Sequence, residues 1–291
     1  CKSVLKLIIL IHDFLILVHN PYYLKFITDM HQLFDMACNF TSEQFNKDLD
    51  ETIERAINAN VLKFLVVSAS LSDTKDIQDI YKKYKSHCAF TLGTHPHHAS
   101  EINEEEIQKM RVLIGELNPN AIGETGLDFF RNISTYEEQL FAFDEQIKLA
   151  IEFNKPLYLH QRDAHEDFIK IIQKYKDDIS NAVVHCFTGT KDALNDYLEL
   201  GFHIGLTGWI CDERRNVELR QIIKDIPHDK LMIETDSPFL IPRNLENKPK
   251  TNRNEPQYLP HIANEIAGLM GLETDDLIDI TYKNSINFLN K

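Results

Sequence analysis

The sequence predicts an α/β fold in which eight strand-then-helix units close into a (β/α)8 barrel. Three observations carry this. Short runs rich in Val, Ile, Leu and Phe recur at 33–38, 62–68, 88–93, 119–124, 156–160, 181–186, 202–207 and 230–235. Longer stretches with helical apolar spacing separate them. Four polar residues, Glu124, His160, His185 and Asp236, stand at or just past the ends of runs. Continuous apolar strands are those buried on both faces of a parallel sheet. An open doubly wound sheet would satisfy the first two observations equally well. The third decides, because a barrel gathers catalytic groups at the C-terminal ends of several different strands. Only a closed ring brings four groups so far apart in sequence to one mouth.

The elements follow in order. "LFDMAC" (33–38) is the first strand, and "KDLDETIERAINAN" (47–60) places Leu49, Ile53, Ala56 and Ile57 on one helical face. After the second strand, "CAFTLG" (88–93) ends on Gly93, which permits a tight exit. The loop "GTHPHH" then carries His95 and His97 to the mouth on either side of Pro96. Helical patterns at 104–117 and 137–153 flank the fourth strand, which ends on Glu124. The fifth ends on His160 and leads into "DAHE", where Asp163 and Glu166 have the spacing of a capping box. His165, on that helix, is expected at the surface. In the sixth strand His185 faces the mouth, and Cys186 is expected to point the other way and pack. Near the C-terminus, "RNEP" offers Asn254 as a helix cap with Pro256 in the first turn.

Composition narrows the function. The chain of 291 residues has 31 Lys+Arg against 45 Asp+Glu, a net charge of −14. It therefore cannot hold nucleic acid by bulk charge, and any phosphate must meet local cations or a bound metal. The five cysteines include no CxxC, the pattern of a reduced intracellular chain. The expected location is the cytoplasm, with the nucleus as the other intracellular choice. The segment "LKLIILIHDFLILV" (5–18) is apolar but interrupted by His12 and Asp13. It is shorter than the roughly 20 residues of a membrane span, and no small-residue cleavage site follows it, so secretion is the minor alternative. Residues 1–31 read as an N-terminal extension and residues 32–291 as a single barrel domain. No membrane contact and no obligate protein partner is indicated.

Two carboxylates and two imidazoles on one mouth make a site for divalent metal. Glu124, His160, His185 and Asp236 are the expected ligands, with Asp236 also placed to take a proton from an attacking water. A divalent ion there lowers the pKa of a bound water from ~15.7 toward ~7. Oxygen-rich surroundings suit Mg²⁺ or Mn²⁺, and more nitrogen suits Zn²⁺. His95 and His97 are placed to hold a substrate anion or to shuttle a proton.

Seven stretches, "GTHPHHAS", "AIGETGLDFFRN", "LYLHQRDAHEDF", "VVHCFTGT", "GLTGWICDERR", "LMIETDSPFLIPR" and "RNEP", together make the chain resemble the TatD family of metal-dependent deoxyribonucleases, over residues 32–291. "TGWICDERR" resembles the TatD branch itself. The resemblance implies a TIM barrel of the metallo-dependent hydrolase type. It implies Mg²⁺-dependent hydrolysis of DNA phosphodiesters, commonly as a 3′–5′ exonuclease preferring single strands, in DNA repair or degradation. The family's metal ligands fall on Glu124, His160 and His185, its carboxylate after the eighth strand on Asp236, and its third-strand histidine on His95. Many relatives end the first strand on His-x-His, whereas this chain has Ala37 and Asn39 there. That predicts one firm metal position and a weaker second one, so one or two ions per chain.

For substrate binding, the candidates are His97, Arg162, Arg214, Arg215 and the cations of the 242–256 loop, which include Arg243, Lys248, Lys250 and Arg253. Trp209 and Phe129 are candidate stacking faces, each worth ~1–3 kcal/mol per base. Two rival readings remain. One is an amidohydrolase acting on a small amide or ester, which usually needs the first-strand histidine pair. The other is a non-catalytic interaction protein on an enzyme fold, which the four ligand-type residues disfavour.

Overall fold

The computed structural model describes residues 31–290, so the N-terminal extension, apart from His31, lies outside the described residues. Eight strands form one sheet: β1 Leu33–Cys38, β2 Val61–Val66, β3 Cys88–Leu92, β4 Ala121–Asp128, β5 Leu157–Arg162, β6 Ala182–Val184, β7 His203–Leu206 and β8 Leu231–Ile233. They are hydrogen-bonded in chain order, and every neighbouring pair is parallel. At the seam, β1 meets the chain beyond β8 through a bridge between Cys38 and Ser237, and Asn39 N–H donates to the Ser237 carbonyl over 2.9 Å. The ring is thus almost closed, as the strand-end residues required.

Helices cover the ring's outer face. They are α1 Leu49–Asn58, α2 Thr74–Lys83, α3 Glu104–Leu117, α4 Tyr136–Glu152, α5 His165–Gln173, α6 Lys191–Glu199, α7 Val217–Ile222, α8 Leu259–Met270 and α9 Thr274–Leu289. The main core lies between strands and helices, where Phe64, Leu157, Phe143, Phe168 and Ile262 are fully buried. Each such side chain contributes roughly 1.5–3 kcal/mol by leaving water. Inside the barrel, the Tyr158 hydroxyl of β5 donates to Glu234, just beyond β8, over 3.0 Å. A bond between elements three strands apart has to cross the interior. Residues two apart on a strand share a face, so His160 points inward with Tyr158.

β4 departs from expectation by running on to Asp128, four residues past Glu124. Gly126 makes this possible: its φ is +146°, and a Cβ there would lie 1.9 Å from the His160 carbonyl oxygen. Only a glycine lets β4 approach β5 so closely, and the register then sets Gly126 beside His160 and Asp128 beside Arg162.

Two expected caps do not form. Asp163 has φ +53° and α5 starts after Ala164 with no side-chain cap; the Gln161 side-chain oxygen instead accepts from the N–H groups of Ala164 and His165. Asn254 is buried and donates its amide to the Thr235 carbonyl over 2.9 Å, tying the long loop to the end of β8 rather than capping a helix.

Candidate metal centre at the barrel mouth

Glu124 leaves the middle of β4 and is nearly buried, 6% exposed. Its Oε1 is ringed by imidazoles: His160 Nδ1 at 2.8 Å, His185 Nε2 at 2.7 Å and His95 Nε2 at 3.3 Å. His95 Nε2 and His160 Nδ1 are 3.3 Å apart. One ligand atom from each of His95, Glu124 and His160 falls within 4.8 Å of the others. Borderline nitrogens around a carboxylate oxygen are the donor set of a divalent ion, so the residues present fit one. His95 therefore stands within the compact cluster itself. Its place is fixed by the 3-10 turn Pro96–Glu101, which it caps by accepting from His97 N–H over 3.1 Å.

The electrostatics follow from burial and crowding. Burial opposes ionisation of Glu124, but His185, His95 and His160 outweigh it and hold the carboxyl well below the usual range. Burial pushes His95 down to about 4, with Glu124 resisting, so its imidazole is neutral and can ligate. Burial also disfavours the charged forms of His160 and His185, yet their carboxylate partners raise both.

Asp236 lines the same cavity, of ≈ 430 Å³. It follows β8 with φ +57°, and its Oδ1 accepts from the Asn39 amide over 3.0 Å. Burial, resisted by His185 and reinforced by Glu124 and Glu234, pushes its carboxyl up to about 7. The site thus has a compact His95–Glu124–His160 group with His185 against Glu124, and Asp236 on the β1–β8 side.

Two carboxylates escaped the sequence reading. Asp128 is 1% exposed; its Oδ2 takes His97 Nε2 at 2.8 Å and lies 3.5 Å from His160 Nε2. Burial opposes its ionisation, but the nearby His160 imidazole and the His97 bond hold it far below the usual range. The period-2 spacing Glu124, Gly126, Asp128 was the signal for it. Glu234 is fully buried, accepts from Cys186 N–H over 2.5 Å, and lies 3.4 Å from His185 Nδ1. Gly205 of β7 leaves room for it, since a Cβ there would lie 3.0 Å from the Glu234 carboxylate. A carboxylate behind a ligating histidine fixes its tautomer and ring angle.

Other expectations need correction. Cys186 does not turn away from the mouth: with φ +47° it lines the cavity, its Sγ 3.6 Å from Thr207 Oγ1. His165 is partly buried, its ring nitrogens meeting the Tyr197 hydroxyl at 3.0 Å and Asp196 at 2.8 Å. Phe129 is partly buried and packs against Tyr136, whereas Phe130 is 57% exposed and is the more openly presented of the two rings at the rim. Arg253 is not brought to the site. It is clamped by Asp48 and Glu255, each at 2.7 Å, and by the Gln44 carbonyl, with Phe45 under its guanidinium.

His97, Arg162, Trp209, Arg215, Arg243 and Lys248 do reach the mouth or its adjoining cavity, whereas Arg214 and Lys250 line neither. His97, Arg162 and Trp209 line the metal cavity. Arg215 and Arg243 line an adjoining one with Trp209, and both, like Arg214, face the buried Asp212. Arg215 also lies over the Trp209 ring at 5.8 Å.

The family model for TatD related DNase matches residues 34–290. The chain belongs to the TatD family. The 3'-5' ssDNA/RNA exonuclease TatD of Erwinia billingiae is 44% identical over 245 residues, covering 84% of this chain and 94% of the relative. That of Yersinia pseudotuberculosis is 46% identical over 235 residues, covering 81% and 90%. Among solved structures, a TatD family hydrolase from Entamoeba histolytica superposes with a TM-score of 0.81 at 26% identity, covering 88% of this chain and 98% of that one. Within this TatD-family chain, no helix among the described residues is long and apolar enough to cross a membrane.

Proposed function

We propose that this TatD-family chain is a divalent-metal-dependent 3′–5′ exonuclease that hydrolyses phosphodiester bonds of single-stranded DNA or RNA. The observation that carries the reading is the Glu124 oxygen encircled by His95, His160 and His185 at the mouth of the barrel. RNA widens the DNA expected from sequence, because the relatives' names include both. Residues 32–291 form the catalytic domain, and the cytoplasm is the proposed location. DNA repair or degradation is the proposed process.

Glu124, His95, His160 and His185 would hold the ion, with Asp236 beside it; Mg²⁺ is proposed, with Mn²⁺ and Zn²⁺ as alternatives. When bound, the ion supplies water activation and charge stabilisation at the phosphate. Asp236, held by Asn39, orients the attacking water and receives its proton. His97, held by Asp128, faces the cavity to meet a phosphate oxygen. Glu234 keeps His185 aimed at Glu124.

The amidohydrolase alternative is less supported. Ala37 and Asn39 stand where that class usually has histidines, and no lysine lines the cavity. The test is digestion of end-labelled single- and double-stranded DNA and RNA with Mg²⁺, Mn²⁺, Zn²⁺ or EDTA, beside a panel of cyclic amides. Metal-dependent shortening from the 3′ end is expected, and Glu124→Ala should remove most of it while staying folded. Unaltered hydrolysis by that variant, or turnover of amides alone, would reject the reading.

A further inference from the structure

The sequence has nine arginines, all among the described residues. Seven of them, from Arg55 to Arg253, meet carboxylates. Arg131 and Arg162 meet none among the described residues, and both line the metal cavity. In a chain with 45 acidic residues, two unneutralised guanidiniums at one rim are a local reversal of the overall charge.

Their placement is fixed from below. The β4–β5 register sets Arg162 beside Asp128, and Phe129 N–H continues the ladder to the Arg162 carbonyl over 3.0 Å. Asp128 Oδ1 accepts from Arg131 N–H over 2.8 Å, so the buried carboxylate that holds His97 also pins the loop carrying Phe130 and Arg131. The Arg162 guanidinium lies 4.0 Å from the centre of the exposed Phe130 ring. Stacking occupies the face of a guanidinium and leaves its edge N–H groups free for paired bonds to a phosphate. Of the sequence candidates, Arg162 is one of this pair, while Arg214, Arg215 and Arg243 share the single carboxylate of Asp212.

We infer that Arg131 and Arg162 form a two-arginine clamp on the phosphodiester backbone of one polynucleotide strand entering the metal cavity, with Phe130 as the adjoining base-stacking face. The inference rests on the nuclease reading for its ligand class, but binding tests it separately from turnover.

The experiment measures binding of a fluorescent oligodeoxythymidylate to the full chain by anisotropy, in EDTA, across a salt series. Arg131→Ala and Arg162→Ala should each weaken binding roughly tenfold. Each should lower the slope of log K against log salt by about 0.7, the contribution of one phosphate contact on a single strand. Arg131→Lys and Arg162→Lys should restore the slope but only part of the affinity, because lysine supplies charge without the paired geometry. Arg111→Ala, which removes a helix-surface pair with Glu152, should match wild type. Affinities and slopes of the Arg131 and Arg162 variants equal to that control would overturn the clamp, as would failure of wild type to bind. Wild-type hydrolysis with unaltered slopes rejects the clamp alone. Binding with the expected slopes but no hydrolysis under any metal supports the clamp and rejects the nuclease reading.

Discussion

The Asn39 side-chain amide donates to Asp236 Oδ1 over 3.0 Å, joining the end of β1 to the turn after β8 across 197 positions of sequence. At the position where the sequence resemblance leads one to expect a ligating histidine, this chain places a donor that orients a carboxylate. Asn39→Ala should therefore lower kcat about tenfold with little change in KM, since a single charge-assisted bond is worth roughly 1.5–3 kcal/mol before screening. Steady-state kinetics on a single-stranded oligonucleotide would check this; an unaltered kcat would show that Asp236 is held by other contacts.

Glu234→Gln keeps the shape beside His185 but removes the charge 3.4 Å from Nδ1. Metal affinity should fall ~10–100-fold, the usual effect of losing a supporting carboxylate. Calorimetric titration with Mn²⁺ reads it directly. The single amide oxygen of this variant can go on accepting from Cys186 N–H, and the Tyr158 hydroxyl can turn to accept from the new NH2 group, so Tm should fall only modestly.

Chelation should abolish turnover without unfolding the chain. The core between strands and helices is apolar, with Phe64, Phe143, Leu157, Phe168 and Ile262 fully buried, so folding rests on that packing and not on the mouth of the barrel. Re-addition of metal at 100 times its Kd should stabilise the fold by ~2.7 kcal/mol. Thermal melts with and without Mn²⁺ measure it. Loss of the cooperative transition in EDTA would contradict the expectation.

Arg253→Ala should act on stability and not on substrate affinity. The guanidinium joins Asp48, Glu255 and the Gln44 carbonyl, closing the long loop onto α1's approach, and its loss should cost about 1–3 kcal/mol. The Arg253 hydrogen bond, resisted by burial and aided by Arg55, pulls Asp48 down to about 2. A carboxylate depressed in the folded state stabilises above its unfolded pKa, near ~3.9. That contribution is lost as pH falls from there toward 2. The variant's acid-unfolding curve should accordingly be shallower between about pH 4 and 2, while its oligonucleotide Kd stays at the wild-type value.

The contrast between Arg253 and Glu124 shows what was legible in the sequence. Glu124, His160 and His185 were readable because each terminates an apolar run, and a closed ring has one mouth for all of them. Arg253 sat in a basic loop, and the partner that fixes it, Asp48, is 205 positions away; nothing local announces such a pair. Asp128 was hidden because the apolar run already ends at Glu124 and a glycine follows, although Gly126 is what lets β4 continue beside His160. Glu234 stood one residue from Thr235 and two from Asp236, and only the inward facing of Tyr158 shows which carboxylate serves the interior. The "DAHE" box failed because Asp163 takes a left-handed backbone and Gln161 binds the amide groups it would have capped. Strand number follows from the apolar runs alone, and strand order needed only the polar run ends that select a closed ring over an open sheet.

The seam between β1 and the chain after β8 also governs how the molecule can be made. Asp35 accepts from Thr235 N–H and hydroxyl over 2.8 and 2.5 Å, and Cys38 bridges Ser237. During synthesis the cylinder therefore stays an open sheet until residue 237 has left the ribosome, with an unpaired strand edge on each side. A product terminated before that point is expected to accumulate in inclusion bodies rather than as a fragment with partial activity.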